Sequence, residues 1–129
     1  MANPNIVSVA SIYGQSVGAS LTTSYIAHIT VASDYVVKVN YIHVANVDGT
    51  NAATCDVCVV KQNATPLGIT NYDISGTFYL AKTVNVPADD ILVVIDKPFY
   101  LMETDVLQAK ASATSDLDIF ISYDVIIDS

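Results

Sequence analysis

The stretch that decides the fold is Leu117-Asp-Ile-Phe-Ile-Ser-Tyr-Asp-Val-Ile-Ile127, in which apolar and polar side chains alternate. Six apolar or aromatic residues share one face of an extended chain: Leu117, Ile119, Ile121, Tyr123, Val125 and Ile127. The other face is mostly acidic or hydroxylic, with Phe120 and Ile126 as apolar exceptions. A period of two predicts a β-strand with one face in a hydrophobic core. Such a strand needs partner strands and a covering layer, which the preceding residues must supply.

The preceding sequence consists of strand-like runs and turns, without a helical period of useful length. Seven runs rich in β-branched and aromatic residues are predicted as strands: 25–31, 35–47, 54–61, 78–86, 91–95, 98–102 and 106–111. Turn residues separate them about every ten positions, as at 32–34, 48–51 and 87–90. We therefore predict an all-β fold, a single antiparallel β-sandwich domain over residues 1–129, jelly-roll-like, with eight to nine short strands.

Three details of this prediction can be checked against a structure. Unbroken alternation from Tyr35 would place seven residues on one face: Tyr35, Val37, Val39, Tyr41, His43, Ala45 and Val47. The run 54–61 is predicted to return as the hairpin partner of 35–47. The unbroken apolar run Ile91–Ile95 is typical of a buried strand.

The first part of the chain is uncharged, since residues 2–33 contain no Asp, Glu, Lys or Arg. One interpretation of residues 1–23 is a short edge strand followed by a flexible loop, because Gly14, Ser16, Gly18 and Ser20 would loosen the strand. The other is an uncharged arm that lies along a neighbouring subunit, where a charge would have to be desolvated.

The composition indicates a surface that packs against other proteins. Hydrophobic residues make up 52% of the chain and charged residues only 14%, whereas about 25% is usual in soluble domains. Part of the exterior must then consist of small polar residues and tyrosine, as in protein interfaces. We expect an oligomer or a component of an assembly.

The charge balance excludes two classes of partner. Thirteen acids against five lysines, with no arginine, give a net charge of −8. Nucleic acids and anionic membranes require a basic stripe, which five scattered lysines cannot form.

No apolar run approaches the length of a membrane span. The start of the chain lacks the pattern of a signal peptide, so we expect folding in a cytosol.

One stretch matches a catalytic motif without its structural context. Gly14–Gly18 fits G-x-S-x-G, with Ser16 as the nucleophile, and Asp34 and His43 follow in the order of a catalytic triad. That motif needs a strand, a sharp turn and a helix under a parallel sheet. The residues after Gly18 are β-forming, so we predict a loop serine and no enzyme.

Potential metal ligands are present without the spacing of a metal site. Cys55 and Cys58 lie three residues apart on a predicted strand, so their sulfurs point to opposite faces unless a bulge intervenes. With His28 and His43 they match no zinc module. The acidic pairs lack the oxygen ladder of a calcium site and are predicted as solvated turn carboxylates: Asp89 and Asp90, and Asp116 and Asp118. We predict neither a metal nor a cofactor.

Several tyrosines fall outside the predicted core: Tyr13, Tyr25, Tyr72, Tyr79 and Tyr100. A row of tyrosines can form a sugar platform, but tyrosine is common in protein interfaces generally, which we favour. The long connection 62–77 carries apolar residues that must pack on something. The candidate interface residues are therefore Ile6, Tyr13, Leu67, Ile69 and Tyr72.

The sequence resembles small virion proteins of tailed bacteriophages, especially those of cyanobacteria. The segments that carry the resemblance are Met1–Val7, Ser11–Gly14, Val44–Ala53, Val86–Asp89, Tyr100–Leu101 and Asp105–Ser112. They cover most of the chain and are turn and strand patterns. The segment 67–76 is an expansion relative to these proteins. The resemblance implies a particle component and supplies no catalytic residue.

The resemblance implies a component of the virion, and the low charge, the uncharged start and the tyrosines outside the core favour a capsid decoration (cement) protein with a jelly-roll-like fold. Its partner would be the major capsid protein, and we expect a homotrimer on the assembled shell of the virion, assembled in the host cytoplasm. A tail, neck or fibre component is the alternative within the virion. A carbohydrate-binding adhesin module is the alternative outside it.

Overall fold

The computed structural model describes residues 9–62 and 75–128, and every regular element in them is a β-strand. The strands are β1 (Val9–Ser20), β2 (Ile26–Thr30), β3 (Tyr35–Asn46), β4 (Ala53–Gln62), β5 (Ser75–Val86), β6 (Ile91–Ile95), β7 (Phe99–Leu101), β8 (Val106–Ala111) and β9 (Leu117–Asp128). The all-β prediction with eight to nine strands is confirmed. Within these residues no helix is long and apolar enough to cross a membrane.

The strands form two antiparallel sheets that pack face to face. The first sheet has the order β1-β9-β3-β6, with β7 also paired to β3, and the second has the order β2-β8-β4-β5. The first four strands alternate between the sheets, which is the connectivity of a jelly roll. The prediction of a jelly-roll-like β-sandwich is confirmed.

The strand β9 lies in the middle of the first sheet, between β1 and β3. Its residues Leu117, Ile119 and Ile121 are fully buried and face the second sheet. Removing each of these side chains from water contributes about 1.5–3 kcal/mol. The alternation of the sequence thus corresponds to the inner and outer faces of a central strand.

The predicted hairpin between β3 and β4 is wrong. β3 pairs with β9, β6 and β7, whereas β4 pairs with β5 and β8 in the other sheet. The connection 47–52 crosses from one sheet to the other and closes one end of the sandwich. Turn residues after a strand indicate where the chain reverses, but they do not say in which sheet the next strand lies.

The predicted alternation of β3 is also wrong over its second half. The register with β9 shifts between Val39 and Tyr41, as at a β-bulge. After this shift the buried residues are Ile42 and Val44, and His43 faces outward. One extra residue reverses the facing of every residue that follows it.

Two other predictions about the strands need correction. The segment of glycines and serines from Gly14 to Ser20 is not a loop, because it continues β1 and pairs with β9 residue by residue up to Ser20. The run Ile91–Ile95 does form a strand, but it lies at the edge of the first sheet. Ile91 and Val93 are therefore exposed on its outer face.

Buried polar groups tie the loops to the sandwich. The side-chain nitrogen Nδ2 of Asn46 donates to the backbone carbonyls of Asn51 and Val86, at 3.0 and 2.9 Å. The side-chain oxygen of Asn46 accepts from the backbone nitrogen of Asp48 at 2.8 Å. The Asp48 carboxylate in turn accepts from the backbone nitrogen of Thr50 at 2.9 Å, which confirms the turn predicted at 48–51.

A buried ion pair joins β4 to the turn between β7 and β8. The Nζ atom of Lys61 lies 2.5 Å from Oδ2 of Asp105, whose side chain is fully buried. The same oxygen accepts from the backbone nitrogen of Met102 at 2.9 Å. The Asp105 carbonyl accepts from the backbone nitrogen of Val31 at 3.0 Å. Asp105 therefore links three segments at one end of the core.

We expect Asp105→Ala to lower the free energy of unfolding by about 1–3 kcal/mol, because it removes the acceptor of the Met102 backbone nitrogen and the partner of the partly exposed Lys61 ammonium. Urea unfolding followed by circular dichroism measures this loss. The control is Asp96→Ala, an exposed acid after β6, which should change stability by no more than about 0.5 kcal/mol. Equal effects of the two variants would contradict a structural role for the ion pair.

Candidate docking surface

The outer face of the first sheet carries two adjacent rows of residues that run across four strands. Read across the paired strands β1, β9, β3 and β6, the first row consists of Gly18, Phe120, His43 and Val93. The next row consists of Ser20, Asp118, Ala45 and Ile91. We call these eight residues the docking surface.

Large apolar side chains on this surface are exposed to solvent. Phe120 is 40% exposed, Val93 is 44% exposed and Ile91 is 55% exposed. Phe120 lies on β9 and the other two lie on β6, and His43 and Ala45 of β3 stand between them on the same face. The patch is therefore continuous across three strands. Contiguous apolar patches of this kind mark protein-interaction sites.

Aromatic contacts hold the centre of the docking surface. The His43 ring stacks on Phe120 with centroids 5.8 Å apart and meets the edge of Tyr41 at 5.4 Å. The Phe120 ring also lies against β1, since a Cβ atom at Gly18 would be 3.4 Å from it, at van der Waals distance. The Phe120 side chain is thus positioned before any partner binds.

A shallow depression of about 710 Å³ lies beside these rings. It is lined by small residues of β1 and β3, including Gly18 and Ala45, and by Asp118 and Phe120 of β9. The Nδ1 atom of His43 is buried and has no hydrogen-bond partner among the described residues. The surface therefore offers a partner an apolar contact and one carboxylate, that of Asp118.

The outer face of the second sheet has a different character. The Tyr25 hydroxyl lies 3.4 Å from a carboxylate oxygen of Asp56, and burial, together with a hydrogen bond to Tyr79, raises the pKa of Tyr25 above its ordinary range. Lys110 lies 4.8 Å from the centroid of the Tyr25 ring, and Lys82 lies 4.5 Å from that of Tyr79. The hydroxyl, carboxylate and ammonium groups of these side chains are thus already engaged in contacts with one another.

A cleft of about 340 Å³ opens between the two sheets along β1 and β2. Gln15 and Tyr123 of the first sheet line one side, where the Tyr123 hydroxyl donates a hydrogen bond to Gln15 at 3.1 Å, and His28 of the second sheet also lines the cleft. The Nε2 atom of His28 is buried without a hydrogen-bond partner among the residues described. Burial lowers the pKa of His28 below its ordinary value of 6.5.

The structure does not assemble the catalytic motif. Ser16 lies in the middle of β1, where it pairs with Ser122, instead of in a loop. His43 is on β3, two strands away on the same sheet, and Asp34 is in the turn after β2, where its backbone nitrogen donates to Glu103. No helix follows Gly18, so the strand-turn-helix context of a nucleophile elbow is missing within the described residues.

The two cysteines are both free and both buried. Cys55 belongs to the core between the sheets, whereas Cys58 lies outside that core and accepts a hydrogen bond from Gln108. Burial, with the nearby Asp56 carboxylate, raises the pKa of the Cys55 thiol to about 11, which makes it a poor nucleophile. In the described part of the chain no cluster of His, Cys, Asp or Glu is arranged to hold a metal.

Of the five predicted interface residues, only Tyr13 lies in the described part of the chain, where it is exposed on β1. The other four lie outside the described residues: Ile6, Leu67, Ile69 and Tyr72. Tyr79 and Tyr100 are also exposed, as predicted. The docking surface itself was not predicted, although Phe120 was visible in the sequence as an apolar residue on the polar face of β9.

Comparisons with known proteins show only distant similarity. No family model and no curated protein matches the chain. Among solved structures, one of infectious bursal disease virus, Gx strain, matches with a TM-score of 0.38 and 10% identity over 91% of this chain and 32% of the matched chain. A structure of the Gt strain matches with a TM-score of 0.34 and 10% identity over 92% and 33%. The chain thus spans about a third of the length of these matched chains.

We expect the stability of the protein to fall as the pH drops below about 6.5, because the unfolded chain protonates His28 there while the folded protein keeps it neutral. In His28→Gln this contribution is absent, so the fall in melting temperature between pH 7.5 and pH 5.5 should be smaller than in the unmodified protein. Thr30→Val, on the same strand, should retain the full difference. An unchanged dependence of melting temperature on pH in His28→Gln would contradict the assignment of this pH dependence to His28.

We expect Phe120→Ala to cost little stability, about 0.5–1.5 kcal/mol, because it removes an exposed aromatic contact. The neighbouring substitution Ile121→Ala should cost about 2–5 kcal/mol, since it opens a cavity at a fully buried position. Chemical unfolding of both variants measures the difference. A loss in Phe120→Ala as large as in Ile121→Ala would show that Phe120 serves the fold and not a partner.

Proposed function

We propose that this protein is a capsid decoration (cement) protein of a tailed bacteriophage, which binds the assembled shell through the docking surface. The observation that carries the proposal is the contiguous exposure of Phe120, Val93 and Ile91 on one outer sheet face. The small share of charged residues, 14%, points the same way, because such a surface is suited to contact with protein.

The mechanism we propose is stabilisation by mass action. A subunit that binds the assembled shell and not its separate components stabilises the shell by RT ln(1 + [L]/Kd), which is about 2.7 kcal/mol when the free subunit is at one hundred times its Kd. Many copies on one shell add their contributions, so that the shell becomes harder to disassemble. No catalytic residue takes part in this mechanism.

The strand framework suits this role because it holds the contact residues rigidly. The docking surface is built on four hydrogen-bonded strands, and stacking on His43 orients Phe120 before binding. Little side-chain freedom is then lost on contact, which leaves more of the apolar burial available as binding free energy. The partner we propose is the major capsid protein.

A carbohydrate-binding module is the second candidate, because jelly rolls also occur as lectin domains. Tyr25 and Tyr79 on the second sheet are the aromatic residues that such a platform would use. Lys110 and Lys82 lie over these two rings and occupy the faces on which a sugar would stack. This arrangement makes us prefer the protein partner.

We expect Phe120→Asp to abolish co-sedimentation of the purified protein with empty capsid shells, since it places a charge in the apolar contact. The matched control is Tyr79→Asp, the same change at an exposed aromatic residue on the opposite sheet, and it should bind like the unmodified protein. Loss of binding in Tyr79→Asp alone would instead favour the second sheet as the contact face. Retention by both variants would contradict the proposed site.

The copy number per particle separates decoration of the shell from the other virion roles. Quantitative mass spectrometry of purified virions should give a number of copies of the same order as that of the major capsid protein. A handful of copies per particle would place the protein at the neck, tail or fibres. Its absence from virions would overturn the virion proposal and favour the sugar-binding module.

A further inference from the structure

The strand β1 presents a long backbone edge to its surroundings. It comprises 12 residues and pairs with β9 along one side only. No other strand of the described residues pairs with its second side. Alternate N–H and C=O groups along this side are therefore available to a further strand.

The other edges of the two sheets carry features that prevent such pairing. β2, β6 and β7 are short, with five, five and three residues. β5 has 12 residues, but its register against β4 shifts twice, Lys82 projects from it, and Thr83 has a positive φ of 52°. Short length, charge and irregularity are the usual ways in which proteins protect a sheet edge.

β1 lacks these protective features. It contains no charged residue and no proline, and its register shift lies at its start, between Val9 and Ser11. On its outer face the positions from Gly14 to Ser20 are alternately glycine and serine, so a strand paired there would meet only small cross-strand neighbours on that face. A long, regular and uncharged edge is a template for intermolecular pairing.

We propose that the partner of this edge is the β1 edge of a second copy, paired antiparallel about a two-fold axis. An antiparallel pair of identical strands is self-complementary, as a two-fold interface requires. The absence of acids from β1 limits the repulsion between two chains of net charge −8 at this edge. The nearest acids on this face belong to β9: Asp118 is opposite Ser20, and Asp124 is opposite Gly14, where its Oδ1 atom would lie 3.5 Å from an added Cβ.

This pairing would join the first sheets of two copies into one continuous sheet. The depression on the docking surface is partly lined by Gly18 and Ser20 of β1. The docking surfaces of the two copies would therefore lie on the same face of the joined sheet, one on either side of the β1–β1 junction. A dimer of about 27 kDa, twice the 13.7 kDa of one chain, would take the place of the expected trimer. The inference does not depend on the proposed role in a virion.

Light scattering coupled to size-exclusion chromatography tests the pairing at several protein concentrations. The unmodified protein should have the mass of a dimer. Ser16→Glu and Ser16→Lys each bring like charges together near the axis and should raise the dissociation constant of the dimer by about fivefold or more. An equimolar mixture of the two variants should dimerise again, because opposite charges then meet.

Thr77→Glu and Thr77→Lys, exposed on the edge strand β5, are the matched controls and should leave the mass unchanged. Circular dichroism establishes that each variant is folded. A monomer at all concentrations, a trimer, or a dimer that is insensitive to both Ser16 variants would overturn the proposal.

Disulfide formation between single cysteine variants gives a test that does not depend on charge. Cysteines placed in turn at Gly14, Ser16 and Gly18 should cross-link two copies most efficiently at one position and less on either side, because the distance between equivalent residues grows by about 7 Å for each residue away from the axis. The native cysteines are both buried. Cross-linking no greater than that of Thr77→Cys at all three positions would overturn the proposed pairing.

Discussion

The fold depends on the insertion of β9 between β1 and β3. Without this strand the first sheet would have no centre, since β1 contacts the rest of the sheet through β9. Insertion is favourable because Leu117, Ile119 and Ile121 leave water as the backbone groups on both sides of the strand are paired. This one strand therefore forms two of the ladders of the first sheet and supplies a large part of the core.

The inner and outer faces of this sheet perform different tasks. The inner face holds aliphatic residues that pack on the second sheet, and the outer face holds the docking surface. The bulge near Tyr41 determines which residues of β3 belong to each face, since it brings His43 and Ala45 outward beside Phe120. A single inserted residue thus serves the core and the candidate contact site together.

Much of the fold was predictable because its signals are local. Turn residues at 48–51 and 87–90 and the period of two in β9 identified the strands and the sandwich class. The bulge in β3 and the placement of β4 in the second sheet were not predictable, because both depend on partners distant in sequence. The exposure of Ile91 and Val93 was missed for the same reason, since an apolar run does not show that its strand lies at an edge.

The order of the strands in the first sheet has a consequence for biosynthesis. β1 and β3 leave the ribosome long before β9, and neither can complete its ladder until residues 117–128 have followed. During synthesis the nascent chain therefore holds two strands with open edges and apolar faces, a state that is prone to association with other nascent chains. The native sheet is completed only after translation of β9, so protection of the nascent chain by chaperones has its greatest effect before that point.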